Sequence, residues 1–130
     1  MKSAVRVVSR GERIRGWLEL VRPVNLFTIP GDILVGSVLA GATWRQLPAM
    51  LPAVLVSLML YAAGLLLNDY VDRDRDREER PSRPIPSGRV YAAYVLRMGV
   101  LFLAGAAVLS AMISAGLRDV QVMTVTLVLI

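Results

Sequence analysis

Carboxylates recur at helical spacing in the stretch from Asn68 to Arg89, NDYVDRDRDREERPSRPIPSGR, which lies between two long apolar runs. On an α-helix successive residues advance by about 100°. With Asn68 at zero, Asp69 falls at about 100°, Asp72 at about 40° and Asp76 at about 80°. One helical face therefore carries an amide and three carboxylates, those of Asp69, Asp72 and Asp76. Asp74 falls on the opposite side and is expected to be a solvated partner for the arginines beside it.

Such a face is costly without a cation, because like charges three or four residues apart repel on a helix. Hard divalent cations prefer oxygen ligands, and Mg²⁺ is typically held by one or two carboxylates together with substrate phosphates and water. Asn68, Asp69, Asp72 and Asp76 are the expected metal-site residues. A basic half follows, with Arg80, Arg83 and Arg89 in a loop stiffened by Pro81, Pro84 and Pro86. The planar guanidinium fork grips two phosphate oxygens at once, so these arginines are the expected diphosphate contacts. Carboxylates followed by arginines beside an apolar run point to a metal–diphosphate site at a membrane surface. The plainer alternative is a solvated Arg/Asp-rich loop held by ion pairs within the helix.

Composition narrows the chemistry. The chain has 130 residues, is 55% hydrophobic, and contains neither Cys nor His. Thiol and imidazole catalysis, disulfides, and sulfur or imidazole metal sites are excluded. The net charge is +5. The arginines flank apolar runs, which implies a membrane surface and membrane lipids rather than nucleic acid.

The elements that must position this site are helices. Residues 1–23 read as a basic amphipathic interfacial segment with Lys2, Arg6, Arg10, Arg13, Arg15 and Arg22. Ile14, Trp17, Leu18 and Val21 share one helical face, with Trp17 expected at headgroup depth. Residues 24–42 form the first expected span, near the length of about 20 apolar residues that a bilayer requires. Asp32 lies inside it and should face protein or water rather than lipid. The 23-residue basic lead and Asp32 argue against reading Ala40-Gly41-Ala42 as a signal-peptide cleavage site.

Residues 49–67 form the second span, with Pro52 expected in its first turn. Pro81 should prevent the helix from continuing. Ser87 is the expected N-cap of the next helix, whose span covers 94–117 and is rich in small residues suited to close helix packing. Residues 120–130 are too short to cross, so the chain is expected to be truncated or to need a second polypeptide, a missing C-terminal half. The expected fold is all-α: a multi-span transmembrane helix bundle of about three complete spans plus a truncated fourth. Lys and Arg concentrate in the N-terminal segment and in the stretch 68–97, whereas the other two loops carry only Arg45 and Arg118. The positive-inside rule then gives a multi-pass protein of the cell membrane with its Asp/Arg loop facing the cytoplasm.

These residues resemble a known family. NDYVDRDRD fits the N-D-x-x-D-x-x-x-D motif of the UbiA superfamily of intramembrane prenyltransferases. RPSRPIPSGR resembles the R-P-x-R-P-I-P-S-G segment that follows it there, and Arg22-Pro23-Val24-Asn25 is similar to the family's R-P-x-N entry to its first helix. The resemblance implies an all-α bundle of membrane helices. It also implies an isoprenyl diphosphate bound through Mg²⁺ by Asp-rich motifs in both halves, and a lipophilic or aromatic acceptor that captures the allylic carbocation. Carried over, it makes Asp72 and Asp76 the catalytic carboxylates and Asn68, Asp69, Asp72 and Asp76 the metal site. Arg80, Arg83 and Arg89 become diphosphate contacts. Asn25 and Arg22 become acceptor-binding residues, although Arg22 reads equally well as an interfacial anchor.

The chain departs from the family in one respect. Beyond Gly88 its only acid is Asp119, so the second Asp-rich motif has no counterpart and the chain alone is expected to be inactive. Two other functions remain open. One is a non-catalytic membrane scaffold or assembly subunit. The other is a CDP-alcohol phosphotransferase, disfavoured because its D-G-x-x-A-R run is absent: Tyr70 follows Asp69.

Overall fold

Helix α1, Arg10–Val21, starts where Ser9 and Glu12 form a capping box. The Glu12 N–H donates to Ser9 Oγ at 3.2 Å and the Ser9 N–H donates to Glu12 Oε2 at 2.8 Å, satisfying two donors that a helix start leaves open. The computed structural model describes residues 8–43, 45 and 47–117. All regular structure among them is helical. Helix α1 ends at Val21, capped by Arg22 in the left-handed region at φ 48°, because Pro23 disfavours helical backbone in the residue before it.

The expected span at 24–42 is divided. Pro23–Leu26 forms a single turn, α2, and Thr28–Leu39 forms α3. Thr28 Oγ1 donates to the Asn25 carbonyl at 2.7 Å across the junction at Phe27. The twelve residues of α3 rise only about 18 Å, against a bilayer core of about 30 Å.

Among the described residues, two helices are long and apolar enough to cross a membrane, over Met50–Val71 and Ala92–Ala115. The first belongs to α4, Leu47–Val71, and the second to α6, Ala92–Leu117. Helix α4 starts two residues before the expected boundary, so Pro52 lies inside it rather than in its first turn. Helix α6 begins at Ala92, not after Ser87. The Ser87 hydroxyl is used within the preceding turn, where it donates to the Pro84 carbonyl at 3.3 Å. The expected fourth segment, 120–130, lies outside the described residues, as do Lys2, Arg6, Arg118 and Asp119.

Helices α4 and α6 form the main packed pair. Gly99 lies against Leu66 and Leu67, and Gly105 lies against Met59. Ascending positions on α6 meet descending positions on α4, so the pair is antiparallel. Ala106 and Ser110 are also buried, so the small residues of α6 serve packing. The outer faces carry exposed Leu51, Leu55, Leu101, Val108 and Met112, the pattern of helices meant for lipid or for further helices.

The core sits at the end of α4 that delivers the Asp-rich stretch. Leu20, Leu66, Val90 and Val95 are buried together, with Trp17, Tyr70, Ile85 and Phe102 packed against them. Trp17, expected at headgroup depth, therefore contacts protein. Gly16 makes this approach of α1 possible: a Cβ there would stand 2.8 Å from Val90 Cγ2, closer than side-chain carbons pack.

Candidate functional site

The helical count used for the Asp-rich stretch requires the helix to run on past Asn68, and the backbone does so. The Asp72 N–H donates to the Asn68 carbonyl at 2.9 Å, and the Asp76 N–H to the Asp72 carbonyl at 2.8 Å. The only interruption is at Asp72, with φ −75° and ψ −4°, which separates α4 from the short α5, Arg73–Glu79. Helix α5 ends at Glu79, ahead of Pro81, because the proline ring cannot continue the turn.

The carboxylates divide into two groups. Asn68 Nδ2 donates to Asp72 Oδ2 at 3.0 Å. Asp69 and Asp76 are buried and share one cation: Arg83 Nη1 donates to Asp69 Oδ1 at 2.8 Å and to Asp76 Oδ2 at 3.0 Å. Asp74 is exposed and pairs with Arg73 at 3.4 Å and Arg77 at 3.2 Å, on the side away from the others. Arg73 also lies over the Tyr70 ring at 4.3 Å.

Asp72 and Asp76 open onto a hollow of about 210 Å³, lined also by Arg75, Glu79 and Arg80. Arg75 and Glu79 were not singled out from the sequence. They were within reach of the same helical count: positions 72, 75, 76, 79 and 80 follow the i, i+3, i+4, i+7, i+8 spacing of one face. Arg75 pairs with Glu79 at 2.9 Å, and Arg80 is exposed.

Arg89 is committed elsewhere. Its Nη1 and Nη2 donate to the two Glu19 oxygens at 2.7 and 2.8 Å, its Nη2 also to the Ser82 carbonyl at 2.7 Å, and its Nε to Ser87 Oγ at 3.1 Å. These bonds clip α1 to the Arg-rich loop. Hydrogen bonding from Arg89 holds the Glu19 carboxyl below the usual carboxylate range.

Arg22 and Asn25, the expected acceptor residues, are exposed around the α1–α2 turn. The Arg22 charge contributes to the field at Asp69. Two further hollows flank α4. One of about 410 Å³ brings exposed Asp32 of α3 beside Ser57 and Tyr61. The other, of about 260 Å³, is lined by apolar side chains that include Leu26, Leu55, Met59, Ala62 and Phe102.

No cluster of three acidic side chains arranged to hold a metal ion occurs among the described residues. Three carboxylates and two arginines line the hollow; Glu79 is paired with Arg75, and Asp72 and Asp76 fit a cation that takes most of its remaining ligands from phosphate and water. The donor set therefore suits Mg²⁺ bound together with a diphosphate.

Comparison with known proteins places the chain in a family. A model of the UbiA prenyltransferase family matches residues 32–130. The chain is 38% identical over 99 residues to the digeranylgeranylglyceryl phosphate synthase of Natronomonas pharaonis, covering 76% of this chain and 35% of that protein. It is 40% identical over 77 residues to the synthase of the same name from Methanopyrus kandleri, covering 59% and 28%. For that of Sulfolobus acidocaldarius the identity is 30% over 117 residues, covering 90% and 42%. The matched part is thus about a third of the length of these curated relatives. No solved structure matches the chain. The family match spans α4, the Asp-rich stretch that lines the hollow, the Arg-rich loop and α6, and the chain belongs to the UbiA prenyltransferase family.

Proposed function

We propose that this chain supplies the first Asp-rich half of a membrane site that transfers a prenyl group from an isoprenyl diphosphate to a lipophilic acceptor. The observation that carries the reading is the shared hollow: Asp72 and Asp76 open onto it together with Arg75 and Arg80, at the end of a helix long enough to cross a membrane. Asp72 and Asp76 would hold Mg²⁺, with Asn68 orienting Asp72 through their 3.0 Å bond. Bound there, the metal would neutralise charge developing on the departing diphosphate. Arg80 is free to grip diphosphate oxygens, and Arg75 can turn toward them from Glu79.

The allylic C–O bond breaks with its electron pair leaving on the diphosphate. An acceptor lone pair then forms the new bond, and the acceptor gives up its proton. The apolar hollow beside α4, closed by Val21, Leu26 and Phe102, would receive the isoprenoid chain and keep water from the cation. Its Ala62 lies six residues before Asn68, a rise of about 9 Å.

The relatives named above make digeranylgeranylglyceryl phosphate by name. The proposed donor is accordingly a geranylgeranyl-type diphosphate, and the proposed acceptor is a hydroxyl on a glyceryl phosphate that already carries one prenyl chain. The test is a hybrid of this chain with the remaining two-thirds of the Natronomonas pharaonis relative, given labelled geranylgeranyl diphosphate, Mg²⁺ and either a prenylated glyceryl phosphate or a phenolic acid. Label is expected in the glyceryl product. Transfer to the phenolic acid alone would overturn the acceptor, and transfer to neither would favour the non-catalytic scaffold.

We place the Asp/Arg loop and α1 in the cytoplasm, with the bundle continuing beyond α4 and α6 to the span count expected from the sequence. The Glu19–Arg89 bonds put α1 and the loop on the same side. Exposed Ile14 and Leu18, with Arg10, Arg13 and Arg15 around them, suit α1 to a membrane interface. Cysteines introduced at Ser82 and Thr43 report the orientation. In intact cells an impermeant thiol reagent is expected to label position 43 and spare position 82, and the reverse pattern would invert the topology.

A further inference from the structure

Two residues expected to touch ligand stand behind the hollow rather than on it. Its lining contains Asp72, Arg75, Asp76, Glu79 and Arg80, and neither Asp69 nor Arg83. Asp69 is 6% exposed and Asp76 is 5% exposed. A single guanidinium nitrogen, Arg83 Nη1, bonds both carboxylates. We infer that Asp69 and Arg83 are a positioning pair that fixes Asp76 for the divalent cation, Asp69 not being a metal ligand and Arg83 not a diphosphate contact.

The physical case rests on burial and on which atoms are used. Two buried carboxylates on one helical face repel, and a buried charge is tolerated only when it is paired and hydrogen-bonded. Arg83 satisfies both at once. It takes Oδ2 of Asp76 and leaves Oδ1 to turn toward the hollow. Asp69, at the end of α4, is the anchor: it holds the guanidinium of a loop residue 14 positions away. Without Asp69 the guanidinium would have one carboxylate partner and a wider range of positions, and the Asp76 carboxylate would follow it. A carboxylate and an arginine that orient a metal-holding side chain in this way act as partners of ligands, whose loss typically costs about 10–100-fold in metal affinity.

This inference rests on the reading that Asp72 and Asp76 hold the cation, and the test separates the two. The chain is placed in lipid nanodiscs, and Mn²⁺ binding is followed by electron paramagnetic resonance, with and without inorganic pyrophosphate. Asp72→Asn is expected to abolish binding. Asp69→Asn and Arg83→Gln are each expected to weaken it roughly tenfold, and the double variant no more than about twofold further than Arg83→Gln. Equal weakening by Asp69→Asn in the native and Arg83→Gln backgrounds would make Asp69 a direct ligand and overturn the pair. So would unchanged binding in both single variants. Unchanged binding in Asp72→Asn would overturn the cation reading itself. Arg83→Lys, which keeps the charge and tests the point if Arg83→Gln does not fold, is expected to weaken Mn²⁺ binding about threefold already without pyrophosphate. A loss confined to the pyrophosphate-containing samples would instead make Arg83 a diphosphate contact.

Discussion

Replacing Asp72 by Ala in the hybrid synthase is expected to lower prenyl transfer by at least about a hundredfold, whereas Asp74→Ala should stay within about twofold of the parent. Both changes remove one negative charge from the same helical stretch, so bulk charge cannot separate them. Asp72 opens onto the hollow and is held by Asn68. In the proposed site its loss would remove a carboxylate from where charge develops on the leaving diphosphate, and removing a group that acts there in a water-poor site raises the barrier by about 3–4 kcal/mol. Asp74 is exposed and makes only surface pairs with Arg73 and Arg77, which contribute about 0–1 kcal/mol.

Asp76→Ala should match Asp72→Ala in activity but also reduce the folded fraction, because it leaves the Arg83 guanidinium with only Asp69. Asp72→Ala is therefore the cleaner probe of chemistry. The measurement follows labelled prenyl transfer in liposomes with Mg²⁺ titrated for each variant. Similar losses at positions 72, 74 and 76 would show that no formed metal face exists.

Gly99→Leu is expected to lower the thermal unfolding midpoint in a fixed detergent, with a cost of about 1–3 kcal/mol or more, while Gly64→Leu leaves it nearly unchanged. A Cβ at position 99 would stand 2.9 Å from both Cγ and Cδ2 of Leu67 and 3.5 Å from Leu66 Cβ. The Leu66 contact is ordinary packing, so the overlap falls on half-buried Leu67, whose side chain must turn aside or α6 must move off α4. Gly64, on the same helix as those leucines, has nothing within 4 Å of the equivalent position. Between membrane helices the attraction comes from close van der Waals contact rather than from exclusion of water, so a separation of even one methyl group is felt. Leu66 and Leu67 immediately precede Asn68, and the displacement would reach the Asp-rich face as well. Equal shifts for the two glycine variants would mean that the side chain itself, not the α4–α6 contact, sets the outcome.

The amino-acid sequence by itself determined whatever depends on spacing along one helix. The turn of 3.6 residues places Asp72 and Asp76 on one face and sends Asp74 away from it. Extended by one more turn, it also identifies Arg75, Glu79 and Arg80 as their neighbours on the hollow. Apolar length located the start of α4 to within two residues, because a long uninterrupted apolar run has few ways to satisfy its backbone except as a helix, whereas α6 starts at Ala92, four residues beyond the start that a cap at Ser87 implied. It did not reveal the break at Phe27, since α2 and α3 are apolar on both sides of it and the interruption lies in backbone angles rather than residue type.

Only the tertiary structure decided which arginine meets which acid. Arg83 reaches Asp69 and Asp76 across 14 and 7 positions, and Arg89 reaches Glu19 across 70. No helical period connects such pairs. They form because Val90 and Leu20 pack together with Leu66 and Val95, which brings α1 and the Arg-rich loop onto the end of α4. In the sequence Arg80, Arg83 and Arg89 are three similar cations after a cluster of acids. Once the core has closed, Arg83 is spent behind the carboxylates and Arg89 on α1. Arg80 is the one of the three that lines the hollow, because it alone continues the face of Asp72 and Asp76.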